Sequence, residues 1–364
     1  MPTHSPIRNT PAFDFNDVPA RILDPAAWYG PDLAKDGEWI EVLTPREIAE
    51  IDNATQAFAA RDIDLSKIRK SDFPLPTLAA RLGRIVREVL EGRGFALLRG
   101  LRIEHYDIRS TAIAFLGLGS HIGSARSQNA KGHILGHVRD LGLTSDDPNV
   151  RIYQTHERQT YHTDSCDIVA LICLKTAKSG GLSSLVSSVT IYNEMRERAP
   201  ELTRLLFEPI ETDRRGEVGV GQRPYFRIPV FNWHAGLLSA IYQRQYIESA
   251  RRFTDVAPLT PQQVEALDLF DTLANDPALC MHMEFRPGDI QLVHNHTLLH
   301  DRTGFEDWPE IERKRHLLRL WLAPEGARPL PPVFAERFGG LTPGNRGGIV
   351  VPDTRLNAPL EAVS

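Results

Sequence analysis

His162-Thr163-Asp164 is the segment of this 364-residue chain whose residue types most directly suggest chemistry. Side chains alternate along an extended backbone, so His162 and Asp164 point one way and Thr163 the other. One imidazole and one carboxylate can then reach the same metal ion. The chain has thirteen histidines, and a lone triplet of this kind arises easily by chance, so a third donor is required. Two histidines and one carboxylate on one face of an octahedron leave three positions open on ferrous iron. The candidates for the third donor are His294, His296 and His300. His294 and His296 share a strand face and could themselves pair on a metal. His300 stands at the predicted end of that strand, where a site can open. Each can equally be a core or surface histidine. No nucleophile arrangement competes, because Ser187, Ser188 and the cysteines lack a GxSxG elbow or a matching histidine context. The three cysteines, Cys166, Cys173 and Cys280, have no CxxC spacing and read as free, mostly buried thiols.

The elements that must position these groups read as helices first and strands after. Residues 1–36 show no sustained period and read as an N-terminal extension over the surface. Thr44-Pro45-Arg46-Glu47 supplies a cap, a proline at the first helical position and a carboxylate three residues on, so a helix starts there. A second helix spans 77–91, and Gly92 and Gly94 stop it. Strands are predicted at 95–101, 151–155, 167–175, 182–189, 289–299 and 316–322, with helices at 194–207 and from Thr260 onward. Residues 212–236, rich in Arg, Gly and Pro, read as a long irregular insertion able to form a lid over a site. The order suggests a mostly β protein, an antiparallel sandwich or barrel of the jelly-roll kind with flanking helices, in a single catalytic domain over 37–364.

Composition is that of an ordinary soluble protein, with 41% hydrophobic and 24% charged residues. Lys and Arg number 42 against 47 Asp and Glu, a net charge of −5 without a basic patch, which argues against nucleic-acid binding. No apolar stretch spans a membrane and no secretory leader is evident, so the expectation is a cytoplasmic protein. No GxGxxG or GxxxxGK[ST] follows a strand.

Five ordered segments carry a resemblance. They are Tyr161-His162-Thr163-Asp164, Ser179-Gly180-Gly181-Leu182-Ser183, Pro287-Gly288-Asp289-Ile290, Leu299-His300-Asp301-Arg302-Thr303-Gly304-Phe305 and Arg315-His316-Leu317-Leu318-Arg319-Leu320-Trp321. Together, over roughly residues 90–325, they resemble the taurine dioxygenase (TauD/TfdA) family of iron(II)- and 2-oxoglutarate-dependent dioxygenases. The resemblance implies a double-stranded β-helix with His162, Asp164 and His300 as iron ligands. It implies Arg315 as the anchor of the 2-oxoglutarate carboxylate, a role suited to a two-pronged guanidinium, with Ser183 in support. Arg319 corresponds to a second arginine that meets the cosubstrate or an anionic substrate, and the two arginines can exchange roles. Gln128, Asn129 and Tyr153 are candidates for the substrate pocket. The chain departs from the family pattern at His294 and His296, where asparagine is more usual, and at Asp301, where glycine often follows the last ligand.

The reaction so implied consumes O2 and 2-oxoglutarate, releases succinate and CO2, and oxidises a C–H bond of a small organic molecule, with hydroxylation as the expected outcome. Two alternatives stand beside it: a non-oxidative cupin-like metal hydrolase or isomerase, and a non-catalytic binding protein on the same fold. The expected partner is a small-molecule substrate, with no nucleic acid and no membrane, and a homo-oligomer left open.

Overall fold

The computed structural model describes residues 14–61, 63–144, 150–219 and 221–362. Among these, a seven-stranded sheet runs in the order Ile40–Val42, Phe95–Arg99, Ile290–His294, Ile168–Lys175 and His316–Ala323. Both Ser124–Arg126 and Gly136–Val138 pair with the far side of His316–Ala323. Only the first pairing is parallel. A four-stranded antiparallel sheet is ordered Met281–Met283, Ser183–Ser187, Leu298–Arg302 and Gln159–His162.

The central strands read as nearly unbroken apolar runs because both of their faces are covered. On one face Leu292, Ala170 and Leu318 join a cluster with Leu82, Ile85, Phe115 and Leu116 of the helices Leu78–Glu91 and Ile108–Ser120. On the other, Phe95, Val293 and Leu317 meet Leu185, Met283 and Leu298 of the smaller sheet. Each fully buried side chain of this size contributes about 1.5–3 kcal/mol relative to exposure. Behind the smaller sheet, Val186 and Leu299 pack with Ile191, Met195, Leu267 and Phe270 of two further helices, Ser188–Arg198 and Pro261–Ala274.

Local signals act as expected at the helix starts. Thr44 and Glu47 form a complete capping box at Pro45–Ala59, and Thr260 and Gln263 form another at Pro261–Ala274. Several expectations are corrected. The predicted strand 151–155 is a 3-10 turn at Ile152–Gln154. The predicted helix 194–207 is two, Ser188–Arg198 and Pro200–Leu205, because Pro200 cannot continue the first. The insertion 212–236 is not irregular: Ile210–Asp213 pairs with Tyr225–Ile228, and Phe231–His234 pairs with Leu237–Ala240. The helix Ile108–Ser120 carried no periodic signal because Thr111 to Gly119 are buried all round it.

The first thirteen residues of the predicted extension 1–36 lie outside the described residues. The rest is docked rather than lying over the surface. Val18, Ile22 and Ala26 enter the cluster behind the smaller sheet, Trp28 enters the inter-sheet core, and the Trp28 indole donates to the Arg93 carbonyl at 2.8 Å. No helix among the described residues is long and apolar enough to cross a membrane.

Candidate metal centre and cosubstrate pocket

Antiparallel pairing brings the two histidines together. His162 ends the strand Gln159–His162, and His300 lies opposite it in register. The strand containing His300 runs on to Arg302, so His300 sits mid-strand and not at a strand end as the sequence suggested. The two rings lie 4.1 Å apart between centroids. Asp164 completes the group, its oxygens 3.9 Å from His162 Nε2 and 3.7 Å from His300 Nε2. The three donor atoms lie within 4.8 Å of one another, and this is the one such group of histidine, cysteine and acidic residues among the described residues.

The surrounding groups hold the donors in place. His162 Nδ1 faces the Thr160 carbonyl at 2.9 Å, which accepts its proton and leaves Nε2 toward the site. Asn295 accepts from the Asp164 backbone N–H at 2.8 Å and donates back to the Asp164 and Cys166 carbonyls, pinning the loop after the strand. Trp321 Nε1 and Arg319 Nη1 donate to one Asp164 oxygen at 2.9 and 3.1 Å. Burial pushes the His162 imidazole down to about 3, and the neighbouring His300 adds to this. Burial works to raise the Asp164 carboxyl, but Arg319 and the two imidazoles outweigh it and hold it well below the usual carboxylate range. A neutral imidazole and an ionised carboxylate are the states a metal requires.

A narrow cavity of about 40 Å³ leads from His162 and His300 to Ser183, Arg302 and Arg315. Arg315 is 4% exposed, and its Nη1 has no hydrogen-bond partner. Arg302 is 6% exposed with Nε and Nη1 both unpartnered, while its Nη2 donates to the Glu157 carbonyl. Burial pushes the Arg315 guanidinium down to about 10, and burial followed by Arg315 pushes Arg302 to about 9. Two desolvated cations with donors to spare call for an anion. Ser183 Oγ, also in this wall, accepts from Gln291 Nε2 at 3.1 Å. Gly181 has φ of +69°, and a Cβ there would lie 3.0 Å from Arg315 Nε. Arg302 and Gln291 were missed in the sequence. Alternation alone places Arg302 on the same strand face as His300, two residues away.

A second, wider cleft of about 250 Å³ opens at Asp164. Tyr153 and Arg319 border both cavities, with the guanidinium 4.8 Å from the phenol ring centroid. Gln128 lines the cleft, but its Oε1 accepts from Arg319 Nε at 2.7 Å and its Nε2 donates to the Ile134 and Arg319 carbonyls. It braces Arg319. Asn129 lines neither cavity; its Oδ1 closes its own loop by accepting from the Lys131 and His133 N–H groups. His294 and His296 also stand apart from the donor group. His296 Nε2 lies 2.9 Å from an Asp167 oxygen, and His294 Nδ1 lies 2.8 Å from Thr297 Oγ1.

Comparisons with known proteins show the family and the fold. The family model described as Taurine catabolism dioxygenase TauD, TfdA family matches residues 54–321. FR-33289 synthase of Streptomyces rubellomurinus is 32% identical over 325 residues, covering 87% of this chain and 94% of that protein. The taurine hydroxylase-like protein SAT17 of Stachybotrys chartarum is 30% identical over 327 residues, covering 87% and 83%. Among solved structures, an asparagine oxygenase with Fe(II), 3-hydroxyasparagine and succinate superposes with a TM-score of 0.61 at 15% identity, over 78% of this chain and 93% of that one. The non-heme iron oxygenase OrfP with Fe and alpha-ketoglutaric acid gives 0.59 at 16% identity, over 78% and 93%. At these identities the solved structures speak for the fold.

Proposed function

Because the chain belongs to the TauD, TfdA family of dioxygenases, we propose that His162, Asp164 and His300 hold its iron(II) and that Arg315 grips the distal carboxylate of 2-oxoglutarate. The protein is an iron(II)- and 2-oxoglutarate-dependent dioxygenase acting on a small organic molecule. The observation that supports the site assignment is the buried Arg315 guanidinium, with Nη1 unpartnered, in the same cavity as the two imidazoles.

Iron and 2-oxoglutarate, when bound, supply the oxidation of a substrate C–H bond with release of succinate and CO2. The residues supply the geometry. Arg315, Arg302 and Ser183 give the cosubstrate a polar terminus, and the apolar walls Val169, Leu171 and Leu317 keep water from the space between. Arg319 and Trp321 fix the Asp164 carboxylate from the substrate side. Tyr153 stands between the two cavities, where it limits how far a substrate can advance.

We read the paired sheets as a double-stranded β-helix in one catalytic domain over 37–364 into whose core the segment 14–36 is also packed, with the insertion around 212–236 as the lid-like wall. Thr212, Arg215, Glu217 and Phe226 of that insertion line the cleft, which supports this reading. The test is succinate release from 2-oxoglutarate with iron(II) and ascorbate, with and without chelator, combined with anaerobic titration of 2-oxoglutarate into the iron-loaded protein. Chelator-sensitive binding that is lost in His300→Ala but kept in His296→Ala is expected. Binding that survives His300→Ala and is lost in His296→Ala would overturn the ligand assignment.

A further inference from the structure

We propose that Cys280 and His282 form a second metal site, one for a divalent cation of the zinc class, on the face of the smaller sheet turned away from the proposed iron ligands. The strand Met281–Met283 is an edge of that sheet, and Cys280 immediately precedes it. Met281 and Met283 enter the inter-sheet core, so alternation turns Cys280 and His282 to the opposite face. There Cys280 is buried in the cluster that holds Tyr161 and Val186, while His282 is exposed. Cys280 Sγ lies 3.8 Å from His282 Nε2. In a tetrahedral zinc site, with bonds of about 2.3 Å to sulfur and about 2.1 Å to nitrogen, those two donors stand about 3.6 Å apart. Only a small approach is needed for the pair to share one ion.

The surrounding groups suit a bound cation. Ser184 lies opposite His282 in register, and its Oγ is 2.6 Å from His282 Nδ1. A ring proton given to Ser184 leaves the Nε2 lone pair toward Cys280, the outer hydrogen bond that orients a metal-binding imidazole. Tyr161 points to the same place independently. Its phenol lies beside Cys280 and Ser184, is 2% exposed, and its oxygen has no hydrogen-bond partner. A buried hydroxyl left in that state is costly. When a metal binds, Cys280 loses its proton to water, a sulfur–metal bond forms, and the sulfur turns from weak donor into anionic acceptor. The Tyr161 O–H then has a partner. The exposure of His282 gives the ion its way in and leaves room for water to complete its coordination.

The site is separate from the proposed iron centre and differs from it in chemistry. His162, Asp164 and His300 offer no sulfur, whereas a thiolate beside an imidazole favours softer ions than iron(II). The polar row continues from Ser184 to Asp301, opposite it in register, whose Oδ1 is buried without a partner while Oδ2 accepts from Arg158 Nε at 2.9 Å.

The experiment titrates cadmium(II) into the protein loaded with iron(II) and 2-oxoglutarate under anaerobic conditions. A cadmium–thiolate bond gives an ultraviolet charge-transfer band that a site of histidine and carboxylate lacks. A saturable band is expected in wild type, and zinc(II) should displace the cadmium and bleach it. Cys280→Ser should lose the band. His282→Gln should weaken cadmium by about a hundredfold or more, beyond the effect of removing an outer partner. Tyr161→Phe should weaken it by about tenfold, the lower range for a hydrogen bond to a charged group, and no change there would remove the phenol from the site. His300→Ala, titrated without iron, should keep the band, which separates this site from the iron ligands. The proposal is overturned if wild type shows no band, if zinc leaves the band unchanged, if Cys280→Ser retains it, if His282→Gln binds as wild type does, or if His300→Ala abolishes it. If Cys280→Ser does not fold, the exposed position in His282→Gln decides.

Discussion

The guanidiniums at 315 and 319 are the same group, four residues apart, doing different work. Arg315 has an unused Nη1 and lines the narrow cavity, whereas Arg319 is spent on Asp164 and Gln128. Replacing Arg315 by lysine keeps the charge and removes the planar fork. Arg315→Lys should therefore weaken 2-oxoglutarate by roughly ten- to more than a hundredfold in anaerobic titration, the equivalent of about 1.5–3 kcal/mol. Arg319→Lys should leave 2-oxoglutarate affinity closer to wild type and loosen iron instead, because Asp164 loses one of its two side-chain donors. A larger 2-oxoglutarate shift for Arg319→Lys would mean that the two roles are exchanged.

At the level of elements, two joints flank residues of the narrow cavity, Ser183 in one case and Val138, Arg315 and Leu317 in the other. The first is the turn Gly180-Gly181, where both residues have positive φ, 73° and 69°. Alanine at 181 adds a strained backbone and a Cβ 3.0 Å from Arg315 Nε. Gly181→Ala should weaken 2-oxoglutarate binding while iron binding persists, and equal loss of both would show general unfolding instead. The second joint is the stacked pair His137 and His316, which ties Gly136–Val138 to His316–Ala323. Their ring nitrogens lie 2.8 Å apart, and His137 Nε2 lies 2.9 Å from the Pro359 carbonyl.

Burial, helped by His137 and nearby cations, pushes His316 down to about 3. Since this folded value lies below that of an unfolded histidine, about 6.5, the unfolded chain binds more protons between the two. Stability should then fall as pH drops from about 6.5 toward 3. In denaturant melts His316→Asn should flatten the slope between pH 7 and pH 5; an unchanged slope would remove the pair as a contributor.

Across the whole molecule, the C-terminal segment is fastened by charge. Arg346, with no exposed surface, donates to both oxygens of the equally buried Asp167, 179 positions earlier, and His296 meets the same carboxylate. Removing one partner of such a pair leaves an uncompensated charge in the core. Arg346→Met should cost about 3–5 kcal/mol in denaturant unfolding. A loss under 1 kcal/mol would mean that Asp167 finds another counter-charge or takes up a proton. Chelation should also lower the melting temperature of the iron-loaded protein, since iron bound only by the folded state stabilises it by mass action.

Groups that are close along the chain were legible in the sequence. The helix caps at Thr44 and Thr260 and the alternation of His162 and Asp164 act within a few residues, where backbone geometry is set by residue type; the stop at Pro200 is just as local, yet the apolar pattern of 194–207 concealed it. The third ligand was different. His294 and His296 share a predicted strand face and His300 stands at the predicted strand end, and residue chemistry alone leaves all three open as donors. Strand register sets His300 against His162 and turns His296 toward Asp167, which supports His300 as the proposed third ligand. Nothing local in the sequence marks Arg302 as a wall of the narrow cavity or Gln291 as the partner of Ser183, and Asn129, a candidate for the substrate pocket, lines neither cavity. Whether a polar side chain is left unpartnered in a cavity depends on what distant segments bring or fail to bring to it. Sequence-local physics determines which groups can do chemistry; only the packing of the two sheets and the segments around them decides which meet.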